Sequence, residues 1–229
     1  MSYSVAIIDA DILVYRFGFA SNNDSEDVAI RTIAHFLEDL VMLDLPHCQR
    51  WSLHLTGKRN FRDEIAVTAP YKGNRKSEKP VHYKLIRDYL VYGWDAVVWD
   101  GMEADDAIAI EATELKGDGV IVSLDKDLDQ VVGWHYNFVK DNLYYVDQET
   151  ADYNFYKQFL TGDAVDNIKG VHGIGPKKAE KLLEGKTPVE MWEVIVEHLG
   201  YERAMENGHL LYMLRSVNDT FTPPTEVIT

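Results

Sequence analysis

Cysteine is nearly missing from this sequence: of 229 residues, one, Cys48, carries a thiol. An internal disulfide framework and a Cys-rich zinc site are thereby excluded, and the composition fits a reducing compartment. Positive charge is also scarce. Lys plus Arg number 23 against 38 Asp plus Glu, a formal net charge of −15, which argues against a protein that coats nucleic acid or an anionic membrane nonspecifically. Long apolar runs are lacking too. No stretch approaches the ~20 residues needed to span a bilayer, and Asp9, Asp11 and Arg16 interrupt the apolar N-terminus, so residues 1–19 do not read as a signal peptide. What is present is ordinary for a globular chain, with 46% hydrophobic and 27% charged residues and length enough to bury a core.

Apolar patterning alternates between short runs and helical spacing. Residues 3–8 form an apolar run ending at Asp9 and read as a buried strand. Residues 24–45 carry helical spacing, with Asp24 or Ser25 as N-cap and Pro46 beyond the end. Further strands are expected at 51–55, 96–99, 120–124, 135–139 and 143–146, and helices at 81–92, 104–115 and, briefly, 128–132. Between them, 58–79 is basic, polar and punctuated by Gly and Pro, a loop with short helical pieces. From 149 to 217 nearly everything reads helical, broken at 161–176, 185–188 and Gly200. This order predicts an α/β fold over 1–147, a mainly parallel central sheet flanked by helices. An all-helical region over 148–229 packs beside it. The five tryptophans, Trp51, Trp94, Trp99, Trp134 and Trp192, are expected in the core or in packing contacts.

Carboxylates collect at the ends of expected strands and the starts of helices. Asp9 follows the first strand. Glu103, Asp105 and Asp106 open the helix after 96–99, and Asp125 and Asp127 follow 120–124. Asp163 and Asp166 lie in the irregular stretch after the helix ending near Leu160. Sites in open α/β sheets form at the carboxyl ends of strands, so the first three groups are expected to converge on one edge. Unneutralised, such acids repel one another and raise each other's pKa. Mg²⁺ and Mn²⁺ resolve this with oxygen ligands, whereas zinc is disfavoured without His or Cys. The cluster suits two-metal phosphodiester hydrolysis, one ion generating hydroxide and the other stabilising the leaving oxygen. Helix capping is the plainer explanation of any single group. Because Glu103 and Asp105, two apart in a helix, point to different sides, one of that trio has room to serve only as support.

Positive charge is segregated. Lys58, Arg59, Arg62, Lys72, Arg75, Lys76 and Lys79 fall in one window of 22 residues, and Lys169, Lys177, Lys178, Lys181 and Lys186 in another of 18. Together they hold 12 of the 23 basic residues, two basic surfaces on an acidic chain. In the second window Gly173 and Gly175 permit a tight turn, and Pro176 stands where a helix begins. The helix N-terminus with Lys177 and Lys178 makes a phosphate seat that grips backbone without reading bases.

These residues resemble the 5′-to-3′ exonucleases and flap endonucleases, particularly small standalone bacteriophage members, in order over about 5–217. The pieces are Ile-Ile-Asp-Ala-Asp with Tyr15-Arg16, Phe61-Arg62, Tyr71-Lys-Gly-Asn-Arg75, Glu103-Ala-Asp-Asp106, Asp125-Lys-Asp127 with Gln130, Thr161-Gly-Asp-Ala-Val-Asp-Asn-Ile168 and Gly170-Val-His-Gly-Ile-Gly-Pro-Lys-Lys-Ala179. The resemblance implies a PIN-like nuclease core with a helix-3-turn-helix motif over 161–184. It implies Asp9, Glu103, Asp105, Asp106, Asp125, Asp127, Asp163 and Asp166 as ligands of two Mg²⁺ or Mn²⁺ ions, with K⁺ at the Gly-rich turn. Lys72 matches the active-site lysine at the scissile phosphate, and Arg62 and Arg75 the basic lining of the substrate path. Tyr71 has two readings, stacking on a terminal base or closing on the core as a loop aromatic, and Gly173, Gly175, Lys177 and Lys178 match the turn that holds duplex phosphates. The implied substrate is DNA with 5′ ends, flaps or nicks, with RNA–DNA hybrid a further candidate. The implied setting is a monomer in the cytoplasm, the host's if phage-encoded, with no membrane partner.

Two departures from the family stand out. Thr56 occupies the place of the usual Asp in a strand-end Asp-Gly-Lys, with Asp11 as an extra carboxylate nearby. The stretch between Lys72 and Glu103 is short for a threading arch. Two other readings remain open on the residues: a haloacid-dehalogenase-like phosphatase using Asp9 and Asp11, and a branched-DNA binder that has lost activity.

Overall fold

Five consecutive buried residues, Val5–Asp9, make the first strand, β1, the centre of the molecule. It pairs in parallel with β2 (Arg50–Asn60) on one side and β4 (Gly119–Val122) on the other. β3 (Val97–Gly101) and β5 (Gly133–Asn137) extend the sheet in parallel, and β6 (Asn142–Val146) closes it antiparallel, in the order β3-β2-β1-β4-β5-β6. The computed structural model describes residues 3–75 and 78–225; Lys76 of the first basic window lies outside the described residues.

Alternation along β1 feeds two cores. Ala6 and Ile8 pack with Leu13 and Val14 of α1 (Ala10–Ala20), Ile33 and Leu37 of α2 (Glu26–Asp39), and Ile86 and Leu90 of α4 (Tyr83–Gly93). Val5 and Ile7 face Ile108, Ala109 and Ala112 of α5 (Ala104–Glu114). Helices cover both faces, as a parallel sheet requires. Between β2 and α4 lies a five-residue helix, α3 (Phe61–Ile65).

A third core belongs to α6 (Gln148–Thr161), α7 (Pro176–Leu183), α8 (Pro188–Leu199) and α9 (Tyr201–Leu211), with Phe159, Leu183, Ile195 and Ala204 at its centre. The chain beyond α9 returns to the sheet, where Met213 joins the α5 core.

Several expectations need correction. The helix α1 directly after Asp9 was not anticipated, because its sequence is apolar on most sides and lacks an amphipathic stripe. β2 continues past Leu55 to Asn60 across a register shift between Thr56 and Asn60. The last helix stops at Leu211 rather than Val217, since Met213 N–H and Leu214 N–H are taken by Gln130 and Asp106. Within 161–176 a two-strand hairpin forms, β7 (Gly162–Asp163) with β8 (Ile168–Lys169). Trp51, expected in the core or in packing contacts, takes the second place: it is 41% exposed and rests against Trp94.

Candidate active site

Strand ends deliver the acids. Asp9 closes β1 and caps α1, accepting from Ile12 N–H at 3.1 Å and from Ser123 Oγ at 2.8 Å. Ser123 Oγ also accepts from Asp125 N–H at 3.0 Å, so one hydroxyl after β4 couples two acids. Asp125 in turn caps the 3₁₀ turn Lys126–Gln130 through Asp127 N–H. Glu103 caps α5, which carries Asp105 in its first turn. The β7–β8 hairpin brings Asp163 and Asp166 from the helical region, and Gln158 of α6 donates to Asp127. Gly162 and Gly170 sit back to back in that hairpin: a Cβ on either would lie 2.3 Å from the other's backbone nitrogen.

Two adjoining cavities result. One, of about 330 Å³, is lined by Glu103, Asp105, Asp125, Asp127, Asp163 and Asp166. The other, of about 310 Å³, takes in Asp9, Asp11, Glu103, Asp105 and Asp125. Lys72 and Arg75 border both. Lys72 pairs with Glu103 and lies 3.7 Å from Asp166, and Arg75 Nη2 donates to Asp166 at 2.7 Å.

Charge is in excess here. Burial, and then Asp11, push Asp9 up to about 7. Burial, and then Asp125 and Asp163, push Asp127 up to about 8. Asp105 is raised well above the carboxylate range by burial and by Asp9 and Asp125, and Asp125 is raised by burial. Glu103 is the exception. Its burial works upward, but Lys72 and Arg62 outweigh it and hold the group below its ordinary value. Oxygen donors that resist ionisation when empty are the chemistry a hard divalent cation relieves. Among the described residues no three of these groups stand at ligand spacing, so the cavity is not preassembled.

Three expected roles fail on burial. Asp106, 0% exposed, does not face the cavities; Arg62 grips it through two hydrogen bonds of 2.6 and 2.8 Å. Arg62, 3% exposed, also donates to the Leu210 and Tyr212 carbonyls, so it is an internal strut and not a DNA contact. Tyr71 is packed in the helical core, and its hydroxyl lies 2.7 and 2.8 Å from the Glu103 and Asp166 carboxylates, which share its single proton. It positions acids and is not free to stack on a base.

Asp11 accepts from Thr56 N–H at 2.9 Å and pairs with Arg87 at 3.4 Å. Thr56 Oγ1 accepts from Ala104 N–H, so the threonine caps α5 and places Asp11 beside Asp9. Ser123, Gln158 and Arg87 were missed in the sequence; only Ser123, two before Asp125 at a strand end, carried a signal.

The Gly-rich turn lies on the helical region. Gly175 caps α7 with Pro176 at its first position, and Gly173 has φ +75°. A Cβ on either glycine would meet nothing within 4 Å, so backbone is exposed, with Lys177 and Lys178 exposed beside it. Ile174 and Ala179 anchor the turn in the core.

The profile of the 5′-3′ exonuclease N-terminal resolvase-like domain matches residues 4–159. The chain belongs to the 5′-3′ exonuclease family. A flap endonuclease Xni from Vibrio campbellii is 31% identical over 80% of this chain and 76% of its own length. A DNA polymerase I from Rhizobium leguminosarum is 35% identical over 55% of this chain and 14% of that protein. The chain spans 14–26% of the length of the first DNA polymerase I relatives it matches. The fold is similar to that of the bacteriophage T5 flap endonuclease solved with DNA and metal ions, at TM-score 0.66 and 19% identity, covering 93% of this chain and 89% of that one. Membership of this family removes the phosphatase reading. No helix among the described residues is long and apolar enough to cross a membrane.

Proposed function

We propose that this chain is a divalent-metal-dependent nuclease that hydrolyses DNA phosphodiesters at 5′ ends or flap junctions, leaving 5′ phosphates, in replication or repair. One observation carries the reading: eight carboxylates from four separate chain segments line two adjoining cavities bordered by Lys72 and Arg75. Asp9, Glu103, Asp105 and Asp125 would hold one Mg²⁺ or Mn²⁺, and Asp127, Asp163 and Asp166 would complete a second. When bound, the ions supply charge neutralisation and activate water toward phosphorus.

The chain's own residues do the rest. Ile12 N–H and Ser123 Oγ fix the Asp9 carboxylate. Tyr71 holds Glu103 and Asp166 on either side of one hydroxyl, keeping the two segments in register. The Lys72 ammonium, parked between those acids, is placed to meet a phosphate oxygen and stabilise developing charge. Arg75, with a side chain 46% exposed, offers a second cation at the mouth. Backbone at Gly173 and Gly175 with Lys177 and Lys178 grips duplex phosphates, and carbonyls of that turn would take K⁺. A monomer working in the cytoplasm on DNA, and on RNA–DNA hybrid as a second substrate, completes the proposal.

The test is cleavage of 5′-labelled duplex and flap DNA with Mg²⁺, Mn²⁺ or EDTA, using Asp105→Ala and Asp125→Ala as controls. Metal-dependent cutting lost in both variants is the expected result. Binding without cutting under every metal condition would leave an inactive branched-DNA binder instead.

A further inference from the structure

A cavity of about 560 Å³ lies apart from the acid groove, at the seam between the sheet and the helical region. The helix α5 separates the two sites. Glu103 and Asp105 stand where it opens, whereas Ala112, Thr113 and Lys116 at its other end line this cavity. Eleven residues at 1.5 Å each put about 16 Å between them. Another wall is aromatic. Phe155 and Tyr156 of α6 are buried and in ring contact, and Tyr212 and Phe221 both pack on Phe155. Phe221 is seated closely, since a Cβ on Gly208 would lie 2.3 Å from its ring. At the rim Tyr145 of β6 is 51% exposed, braced by an edge-on contact with Trp134 at 5.1 Å.

One cation in this cavity has no acid within ion-pair distance. Arg215 Nη1 donates to the Met213 carbonyl at 2.6 Å and Nη2 to the Gln130 carbonyl at 2.7 Å, with the guanidinium 5.2 Å from the centre of the Tyr212 ring. Among the described residues Arg215 forms no salt bridge. Asp219 accepts from the Tyr212 hydroxyl and from the Arg215 and Thr220 N–H groups. Burial pulls the Arg215 guanidinium below its ordinary value. A buried guanidinium met by carbonyls alone gains from an incoming anion, and its planar fork suits phosphate. Lys116, exposed at the rim, adds a second positive charge. Asp152 supplies the opposite chemistry: Gln148 Nε2 donates to one of its oxygens at 2.8 Å, and the carboxylate keeps capacity for further N–H donors.

We propose that this cavity binds a nucleoside 5′-monophosphate, with its base on the aromatic wall and toward Asp152 and its phosphate on Arg215 and Lys116. Pockets that hold small ligands run to about 300–1,000 Å³, with aromatic walls and a few polar groups. Base faces stack on such rings irrespective of sequence. Guanine fits the set, because one of its edges carries a ring N–H beside an amino group, two donors for one carboxylate. The site does not depend on the nuclease reading, although an enzyme that releases mononucleotides would supply its ligand.

The experiment is calorimetric titration of the full chain in EDTA with dGMP, deoxyguanosine or inorganic phosphate. Saturable dGMP binding, tighter than that of either fragment, is expected. The exposed rim changes Tyr145→Ala and Lys116→Glu should each weaken it about tenfold, and Lys72→Ala in the acid groove should not. No saturable binding, or binding indifferent to both rim changes, overturns the proposal. Loss in Lys72→Ala would place the nucleotide in the acid groove and overturns it too. Phosphate or deoxyguanosine binding as tightly as dGMP removes the nucleotide assignment. A chain that binds dGMP here yet cuts no DNA would sink the nuclease reading and leave this site standing.

Discussion

The two basic windows look alike in the sequence and are put to opposite uses in the fold. In the first, Arg62 is buried on Asp106, Lys72 is paired with Glu103, Arg75 with Asp166, and Lys79 lies on Tyr83. The first three answer the protein's own acids, and the fourth an aromatic ring. In the second, Lys177 and Lys178 are exposed, and neither forms an ion pair among the described residues. The difference follows from location. The first window crosses the mouth of a groove in which eight carboxylates must be balanced, while the second caps a helix on an outer face.

Removing a compensating cation should hurt stability, and removing an outward one should not. Arg62→Met strands the buried Asp106 carboxylate and is expected to cost about 3–5 kcal/mol, read by urea unfolding. Adding Asp106→Asn should recover much of that loss; a strictly additive double variant would break the internal-strut assignment. Next, Lys72→Ala should lower turnover on the order of 10²–10³-fold with a smaller loss of duplex affinity. Equal losses would move Lys72 into the outward-facing group.

The joint Lys177→Glu and Lys178→Glu change should weaken duplex binding. It should also flatten the plot of log affinity against log salt by roughly 1.8, two phosphate contacts' worth, while stability stays within about 0.5 kcal/mol. An unchanged salt slope would remove the phosphate seat from this surface. The smallest effect concerns Glu206. Its burial works upward, but the hydrogen bonds from Thr68 and Val67 prevail and hold it below the ordinary glutamate value. A depressed carboxylate stabilises the fold at pH above its unfolded pKa of about 4.3, and that contribution is lost as pH falls through the folded value. The Tm gap between the parent and Glu206→Gln should therefore be present at neutral pH and close on acidification below about 4. A gap that persisted there would mean the tie does not depend on charge.

Much of this was readable from the residues, and the failures share a cause. Asp9, Glu103, Asp105 and Asp125 could be found because each lies where a strand ends or a helix starts, a local signature. Asp106 has the same signature but faces inward, and what decides this is Arg62, 44 positions away. Tyr71 was ambiguous for the same reason, since its partners Glu103 and Asp166 come from distant segments. Local pattern gives an acid's place on its element; which way the charge is answered is set by tertiary partners. The parallel sheet was legible because its strands alternate with helices, while α1 was hidden by being apolar nearly all round.

The pinched pair Gly162 and Gly170 has a consequence for anyone searching this protein by random mutation. One added methyl at either position acts as a wedge, prising apart the strands that carry Asp163 away from Lys169. Neither glycine has a side chain to offer a nucleotide. Both should nonetheless surface among loss-of-function hits, as silent hinges whose damage is felt several ångströms away.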